Sequence, residues 1–104
     1  MNSFVLSPEA EDDIFAIWSY LATAVNVEFA DRIESHLFDA FGALSANPGI
    51  GHKRQDLTSI PVLFYRAFPY QYLIIYRPKT PLEIVALLHA KRNVKKVLQN
   101  REPR

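Results

Sequence analysis

The tripeptide Asn47-Pro48-Gly49 divides the chain into two parts with different hydrophobic periods. Proline lacks an amide hydrogen and restricts the residue before it, so a helix must end here. Before this point, apolar residues recur roughly every three to four positions, which is typical of amphipathic helices. After it, short runs rich in β-branched and aromatic residues indicate strands. This segregation of helices and strands predicts an α+β fold.

The first part predicts a short strand followed by an antiparallel helical hairpin. Residues 3–6 are apolar and form the expected strand. Ser7 and Pro8 suit the N-cap and first position of one helix, and Asn26 suits the N-cap of a second. The side chains expected in the core are Ile14, Trp18, Leu21, Ile33, Leu37 and Phe41, together with Ile74, Ile84 and Leu88 of the second part.

The second part predicts a polar, basic loop at residues 50–60 and then strands at 62–68, 70–77 and 82–89. Short linkers favour pairing of these strands as an antiparallel meander. In the third of them, simple alternation places Leu82, Ile84, Ala86 and Leu88 on the core side. Asn93 suits the N-cap of a last helix at 94–100, with Val97 and Leu98 docked on the hairpin or the sheet. Residues 101–104 are expected to fray.

Length and composition narrow the class of protein. A chain of 104 residues without cysteine predicts a single domain over residues 1–104, with no disulfide or thiolate chemistry. No apolar run approaches the ~18 residues of a membrane-spanning helix, and no signal peptide is visible. We therefore expect a cytoplasmic protein with no membrane partner.

Charge is strongly segregated along the chain. Residues 1–49 carry eight acids and one base, whereas residues 50–104 carry three acids and eleven bases. Such asymmetry suggests a separate partner for each sign. The alternative is that the two halves neutralise each other within one fold.

Familiar catalytic and cofactor motifs are absent from the sequence. His36, His52 and His89 fall in three different predicted elements without metal-ligand spacing. There is no Gly-x-Ser-x-Gly elbow and no glycine-rich phosphate loop. We expect no metal and no cofactor. What remains is a set of bases interleaved with tyrosines, which could hold an anion or a nucleic-acid backbone.

Several short segments, in order and spacing, resemble the ParE/RelE superfamily of type II toxin–antitoxin toxins. They are Leu-Ser-Pro-Glu-Ala-Glu-Asp-Asp-Ile at 6–14, Ala-Asp-Arg-Ile at 30–33, Leu-Ser-Ala-Asn-Pro-Gly-Ile-Gly at 44–51, Arg66 with Phe68-Pro69, Tyr-Leu-Ile-Ile-Tyr-Arg at 72–77 and Leu-His-Ala-Lys-Arg at 88–92. The resemblance implies a short N-terminal strand, a helical hairpin on a twisted antiparallel sheet and a short C-terminal helix. It also implies a cognate antitoxin with a DNA-binding domain, in a heterotetramer or larger complex.

Two functions are known on this fold. ParE-like members, associated with plasmid stabilisation and growth arrest, inhibit DNA gyrase, and the segments at 47–51 and 88–92 favour this branch. RelE-like members cut mRNA on the ribosome without a metal, and in that case Arg66, His89 and Arg92 are the candidate catalytic residues. The nuclease pattern is incomplete, because Leu73 stands where an arginine is expected and the last helix has no tyrosine. We therefore favour the ParE-like function, for which we expect no catalytic residues.

The resemblance and the basic residues together define a candidate target-binding set: Arg66, Arg77, Lys91, Arg92, Lys95 and Lys96. The antitoxin tail is expected to insert apolar residues between the helices and the sheet. Its acidic residues are expected to meet Arg66, Arg77 or Arg92.

Overall fold

The computed structural model describes residues 3–101 and confirms the predicted order of elements. The elements are β1 (Phe4–Leu6), α1 (Pro8–Ala24), α2 (Val27–Ala46), a 3-10 turn (Pro48–Ile50), β2 (Leu63–Ala67), β3 (Tyr72–Arg77), β4 (Leu82–His89) and α3 (Val94–Gln99). β1, β2, β3 and α3 are each slightly shorter than predicted. For β3 the reason is that residues 68–71 are used by the turn that joins it to β2.

Side-chain caps set the ends of the hairpin as predicted. The hydroxyl of Ser7 accepts a hydrogen bond from the Ala10 amide, and the side chain of Asn26 accepts one from the Phe29 amide. Each cap satisfies an amide that has no partner within its helix. The expected hairpin on one face of the sheet is confirmed, with α1 packed on both α2 and β4.

Trp18 is only half-buried, so its assignment to the core is partly wrong. Its indole Nε1 donates to Asp31 Oδ1 at 2.8 Å. The ring therefore packs against the core while spanning the seam between α1 and α2. A buried indole N–H needs a partner, and Asp31 at the surface supplies one.

The sheet has the order β1-β4-β3-β2, and it is mixed rather than wholly antiparallel. The predicted meander of β2, β3 and β4 is confirmed. β1, however, runs parallel to β4, with Phe4 opposite Leu82 and Leu6 opposite Ile84. A parallel pair needs a long crossover connection, and residues 7–81 provide it. Because β1 pairs with one edge of β4 and β3 with the other, β4 lies inside the sheet.

A bulge in β4 overturns the predicted alternation of its side chains. Ile75 lies opposite Ala86, but Tyr76 lies opposite Ile84, so Val85 is an extra residue in the ladder. Beyond this point Leu87 faces the hairpin, whereas Ala86 and Leu88 face α3. Both faces of β4 are covered, so its sequence is a nearly continuous apolar run that cannot reveal the change of face.

Two cores lie on the two faces of the sheet. The hairpin core contains Ile14, Leu21, Ile33, Leu37, Phe41, Ile74 and Ile84. The α3 core joins Val94 and Leu98 to Phe64, Ile75 and Leu88. The predicted docking of the last helix is thus confirmed, with Val97 half-buried and the sheet as the docking surface.

Asp13 forms an ion pair that the sequence did not predict. Its carboxylate accepts the Leu87 amide of β4 at 2.9 Å and both Arg101 guanidinium nitrogens, at 2.6 and 2.8 Å. Donating these hydrogen bonds to Asp13 raises the pKa of the Arg101 guanidinium. Arg101 was expected to fray, and that expectation is wrong; residues 102–104 lie outside the described residues.

Tyr76 fastens the end of the helical half to the sheet. Its buried hydroxyl donates to the Pro48 carbonyl at 2.7 Å and accepts the Gly51 amide at 3.0 Å. A Cβ at position 51 would lie 2.5 Å from that hydroxyl oxygen, so only glycine permits this approach. Burial raises the pKa of Tyr76.

Within residues 3–101, no helix is both long and apolar enough to cross a membrane.

The Asp13–Arg101 pair predicts an order of stability losses. Arg101→Ala should lower the free energy of unfolding by about 1.5–3 kcal/mol, because charge-assisted hydrogen bonds are lost. Asp13→Ala should lower the free energy of unfolding by about 3–5 kcal/mol, since it leaves both the Leu87 amide and the Arg101 guanidinium without a partner. Urea denaturation followed by Trp18 fluorescence measures both.

The matched control is Arg54→Ala, which removes a bidentate but exposed pair with Asp56. Solvent screens such pairs, so little change is expected. Equal losses for Arg54→Ala and Arg101→Ala would contradict a structural role for the buried pair.

Tyr76 predicts a pH dependence with a defined sign. Because its pKa lies above the ordinary value of about 10, the unfolded chain releases this proton first. The stability linked to the raised pKa of Tyr76 is fully present below pH ~10 and is lost as the pH rises through the folded-state pKa. Tyr76→Phe should cost about 1–3 kcal/mol at neutral pH, from two lost hydrogen bonds, and should flatten the alkaline decline.

Denaturation at a series of pH values checks this prediction. In Tyr76→Phe, some alkaline decline of the free energy of unfolding should persist, because burial also raises the pKa of Tyr72. Tyr20→Phe is the control at neutral pH, since Tyr20 is 69% exposed. An unchanged alkaline profile in Tyr76→Phe would refute the assignment.

Candidate functional site

The sheet face opposite the hairpin carries a cavity of about 510 Å³, named here the basic groove. Basic side chains form its sides and apolar side chains form its floor. The basic members are His52, Arg54, Arg66, Arg92 and Lys95, and the apolar members are Leu57, Phe64, Leu73, Ala90 and Val94. The last lining residue, Asn93, caps α3.

Three elements bring these bases together. The loop after the 3-10 turn is held beside β2 by two hydrogen bonds between the backbones of His52 and Phe64, each 2.8 Å. Arg66 lies two residues beyond Phe64 and so on the same face of β2, where Phe64 is buried and Arg66 is exposed. Arg92 lies in the β4–α3 turn, which its amide closes by donating to the His89 carbonyl at 2.9 Å.

The groove is electropositive. No acidic side chain lines it within the described part of the chain. Asp56 stands nearby and pairs with Arg54, whose hydrogen bonds lower the pKa of that carboxyl group. Arg66 stacks over the exposed ring of Phe68, with the guanidinium carbon 5.0 Å from the ring centroid. This arrangement suits an anionic ligand, since the remaining cations have no paired carboxylate in the cavity.

The predicted target-binding set is only partly gathered in one place. Arg66, Arg92 and Lys95 share the basic groove. Lys91 and Lys96 are exposed nearby in sequence but do not line it. Arg77 lies at the far end of β3 and forms a salt bridge with Glu83, with Nε 3.0 Å from Oε1.

His89 lies on the opposite face of the sheet from Arg66. It is paired with Tyr72, and the two rings are 5.7 Å apart and nearly perpendicular. His89 and Tyr72 line a second cavity of about 490 Å³ with Ile17 and Tyr20 of α1. We name this cavity the tyrosine pocket; its other lining residues are Asp13, Ala16 and Arg92.

The three candidate nuclease residues therefore do not converge. Arg66 lines the basic groove and His89 lines the tyrosine pocket, while Arg92 lines both cavities. The Lys91 amide donates to Nδ1 of His89, so Nδ1 is an acceptor and Nε2 carries the proton of the neutral ring. An acid–base pair on one scissile phosphate would need groups on both sides of the same ligand.

His52, Arg54 and Tyr20 belong to these cavities but were not in the predicted site set. The basic character of the loop at 50–60 was visible in the sequence, yet its pairing with Phe64 was not. Within residues 3–101, no cluster of three His, Cys, Asp or Glu side chains could hold a metal ion.

A third cavity, the acidic hairpin groove, lies along the outer seam of α1 and α2. Its apolar residues are Leu6, Ile14, Phe15, Trp18 and Phe38, and its acidic residues are Glu11, Asp31 and Glu34. Phe15 is 71% exposed and Phe38 is 39% exposed. Exposed aromatic side chains beside carboxylates are typical of a protein-binding surface.

Two comparisons with known proteins place this chain, one by its fold and the other by its family. A solved structure described as the chromosomal ParDE TA system from P. aeruginosa is similar to this chain, with a TM-score of 0.72 and 17% identity. The match covers 88% of this chain and 98% of that one, and at this identity it shows the fold alone. A search of curated proteins found no match.

The family model described as "ParE toxin of type II toxin-antitoxin system, parDE" matches residues 4–94. This chain therefore belongs to the ParE toxin family. The predicted resemblance, including its ParE branch, is confirmed.

Proposed function

We propose that this ParE-family chain is a single-domain, cytoplasmic toxin that arrests growth by inhibiting DNA gyrase and that a cognate antitoxin neutralises it. Family membership is the observation that carries this proposal. The separation of His89 from Arg66 also favours an inhibitor over a nuclease, because the groups for metal-free RNA cleavage are not gathered at one cavity. Leu73 in the groove supports the same choice, since an arginine is expected there in a nuclease.

The antitoxin would bring a DNA-binding domain and a tail that folds on binding, in a heterotetramer or larger complex. Two surfaces of this chain support such a partner. The exposed rings of Phe15 and Phe38 offer apolar anchoring sites on the hairpin. Arg66 and Arg92 in the basic groove offer partners for acidic residues of the tail, which would neutralise the toxin by covering that groove.

Paired assays with purified components distinguish the gyrase target from the ribosome. With gyrase and supercoiled plasmid, the chain should block supercoiling and accumulate gyrase–DNA cleavage complexes, and added antitoxin should reverse both effects. In a translation extract programmed with mRNA and free of DNA, it should have no effect. Blocked translation with cut mRNA and unaffected gyrase would overturn the proposal in favour of a ribosome-dependent nuclease.

The C-terminal bases predict a separable loss of toxicity. Replacing Lys91, Arg92, Lys95 and Lys96 with Ala should abolish gyrase inhibition and growth arrest but leave the fold intact, because exposed charges contribute little to stability. Binding of the parent chain to its target should also weaken with rising salt more steeply than the weaker binding of the variant.

Arg32→Ala is the control, since it removes an exposed base on the hairpin, away from the basic groove. Circular dichroism verifies that each variant is folded. Full growth arrest by the folded quadruple variant would show that these bases form only a solvated surface.

A further inference from the structure

The basic groove and the tyrosine pocket meet at one residue, Arg92, which lines both. Arg92 lies three residues beyond the end of β4, in the turn that leads to α3. The two cavities are therefore adjacent at this end of the strand. The two cavities have complementary chemistry, since one is cationic and the other aromatic.

The basic groove has the features required by a phosphodiester backbone. Arg66, Arg92 and Lys95 provide charge that no lining carboxylate cancels. Arg54 adds to this charge, although Asp56 offsets part of it. The floor formed by Phe64, Leu73 and their apolar neighbours suits the sugar carbons.

The tyrosine pocket has the features required by an unstacked base. The side chain of Tyr20 is 69% exposed, and Ile17 adds an apolar surface beside it. The Nε2–H of neutral His89 is available as a hydrogen-bond donor. Asp13 also lines the pocket, but its carboxylate is occupied by Arg101 and the Leu87 amide.

We propose that these two cavities form a continuous binding site for an unpaired nucleic-acid strand, with phosphates in the basic groove and a base against Tyr20. Proteins that bind single strands combine a cationic track with aromatic stacking surfaces in this way. A base held in a duplex is stacked and paired and cannot enter the pocket. The proposal goes beyond gyrase inhibition, does not depend on it, and includes no cleavage step.

Fluorescence anisotropy of the full chain tests the site with three labelled probes of one sequence: single-stranded DNA, single-stranded RNA and duplex DNA, each about twelve nucleotides long. At least one single strand should bind about tenfold or more tightly than the duplex. The slope of log K against log salt should be about −2 to −3 for three or four neutralised phosphates. A preference between DNA and RNA identifies the source of the strand, and either preference supports the site.

Two variants separate the two parts of the site. Arg66→Ala should weaken binding and make the salt slope about 0.7 less steep. Tyr20→Ala should weaken binding of the single strand about 5- to 100-fold with the slope unchanged, because stacking carries no charge. Tyr20→Phe keeps the ring and should restore most of the affinity.

Each variant has a matched control on the hairpin. Arg32→Ala removes an exposed base that lies outside both cavities. Phe15→Ala removes a ring of the same helix, 71% exposed, that lies in the acidic hairpin groove. Both controls should bind the strand as the parent chain does.

Three results would overturn the proposal. One is no binding of either single strand at low salt, and another is equal affinity for single strand and duplex. The third concerns a poly-glutamate peptide. If the peptide binds through Arg66 but does not displace the nucleic-acid strand, the groove is a site for acidic protein. Gyrase assays are separate from these measurements, so failure of gyrase inhibition leaves the strand-binding result intact, and the reverse is also true.

Discussion

The carboxylate of Asp13 holds together three segments that are distant in sequence. β1 ends at Leu6, so the edge of β4 beyond Ile84 has no strand to pair with. Two side chains replace the missing strand as hydrogen-bond partners. The Ser7 hydroxyl donates to the Val85 carbonyl, and the Asp13 carboxylate accepts from the Leu87 amide. Buried backbone groups need such partners, and this need fixes α1 against the sheet. Through Arg101 the same carboxylate anchors the end of α3, whose first turn carries Lys95 into the basic groove.

The fold keeps the two charged halves of the sequence on separate surfaces. The sequence left open whether they neutralise each other. Among residues 3–101, the Asp13–Arg101 bridge is the one ion pair that joins an acid of the first half to a base of the second. The acids of the hairpin groove and the bases of the basic groove lie in different cavities, so each remains available to a partner of opposite charge.

Local signals predicted most of the fold, whereas pairing across the chain escaped prediction. Caps at Ser7 and Asn26 and the stop at Pro48 act within a few residues, so their effects are visible in sequence. The parallel direction of β1 and the pairing of His52 with Phe64 depend on segments far apart in sequence. For this reason Arg66 and Arg92 were recognised as site candidates, while the contribution of His52 to the same groove was not.

One extra residue in β4 decides which cavity receives His89. With unbroken alternation, a strand that turns Leu82 and Ile84 toward the hairpin would turn His89 toward the other face, which also carries Arg66. The bulge at Val85 reverses the faces after it, so Leu87 and His89 lie on the hairpin side. A histidine that could have completed a nuclease-like cluster instead contacts Tyr72 in the tyrosine pocket. The register of a single strand thus separates the cationic surface around Arg66 from His89.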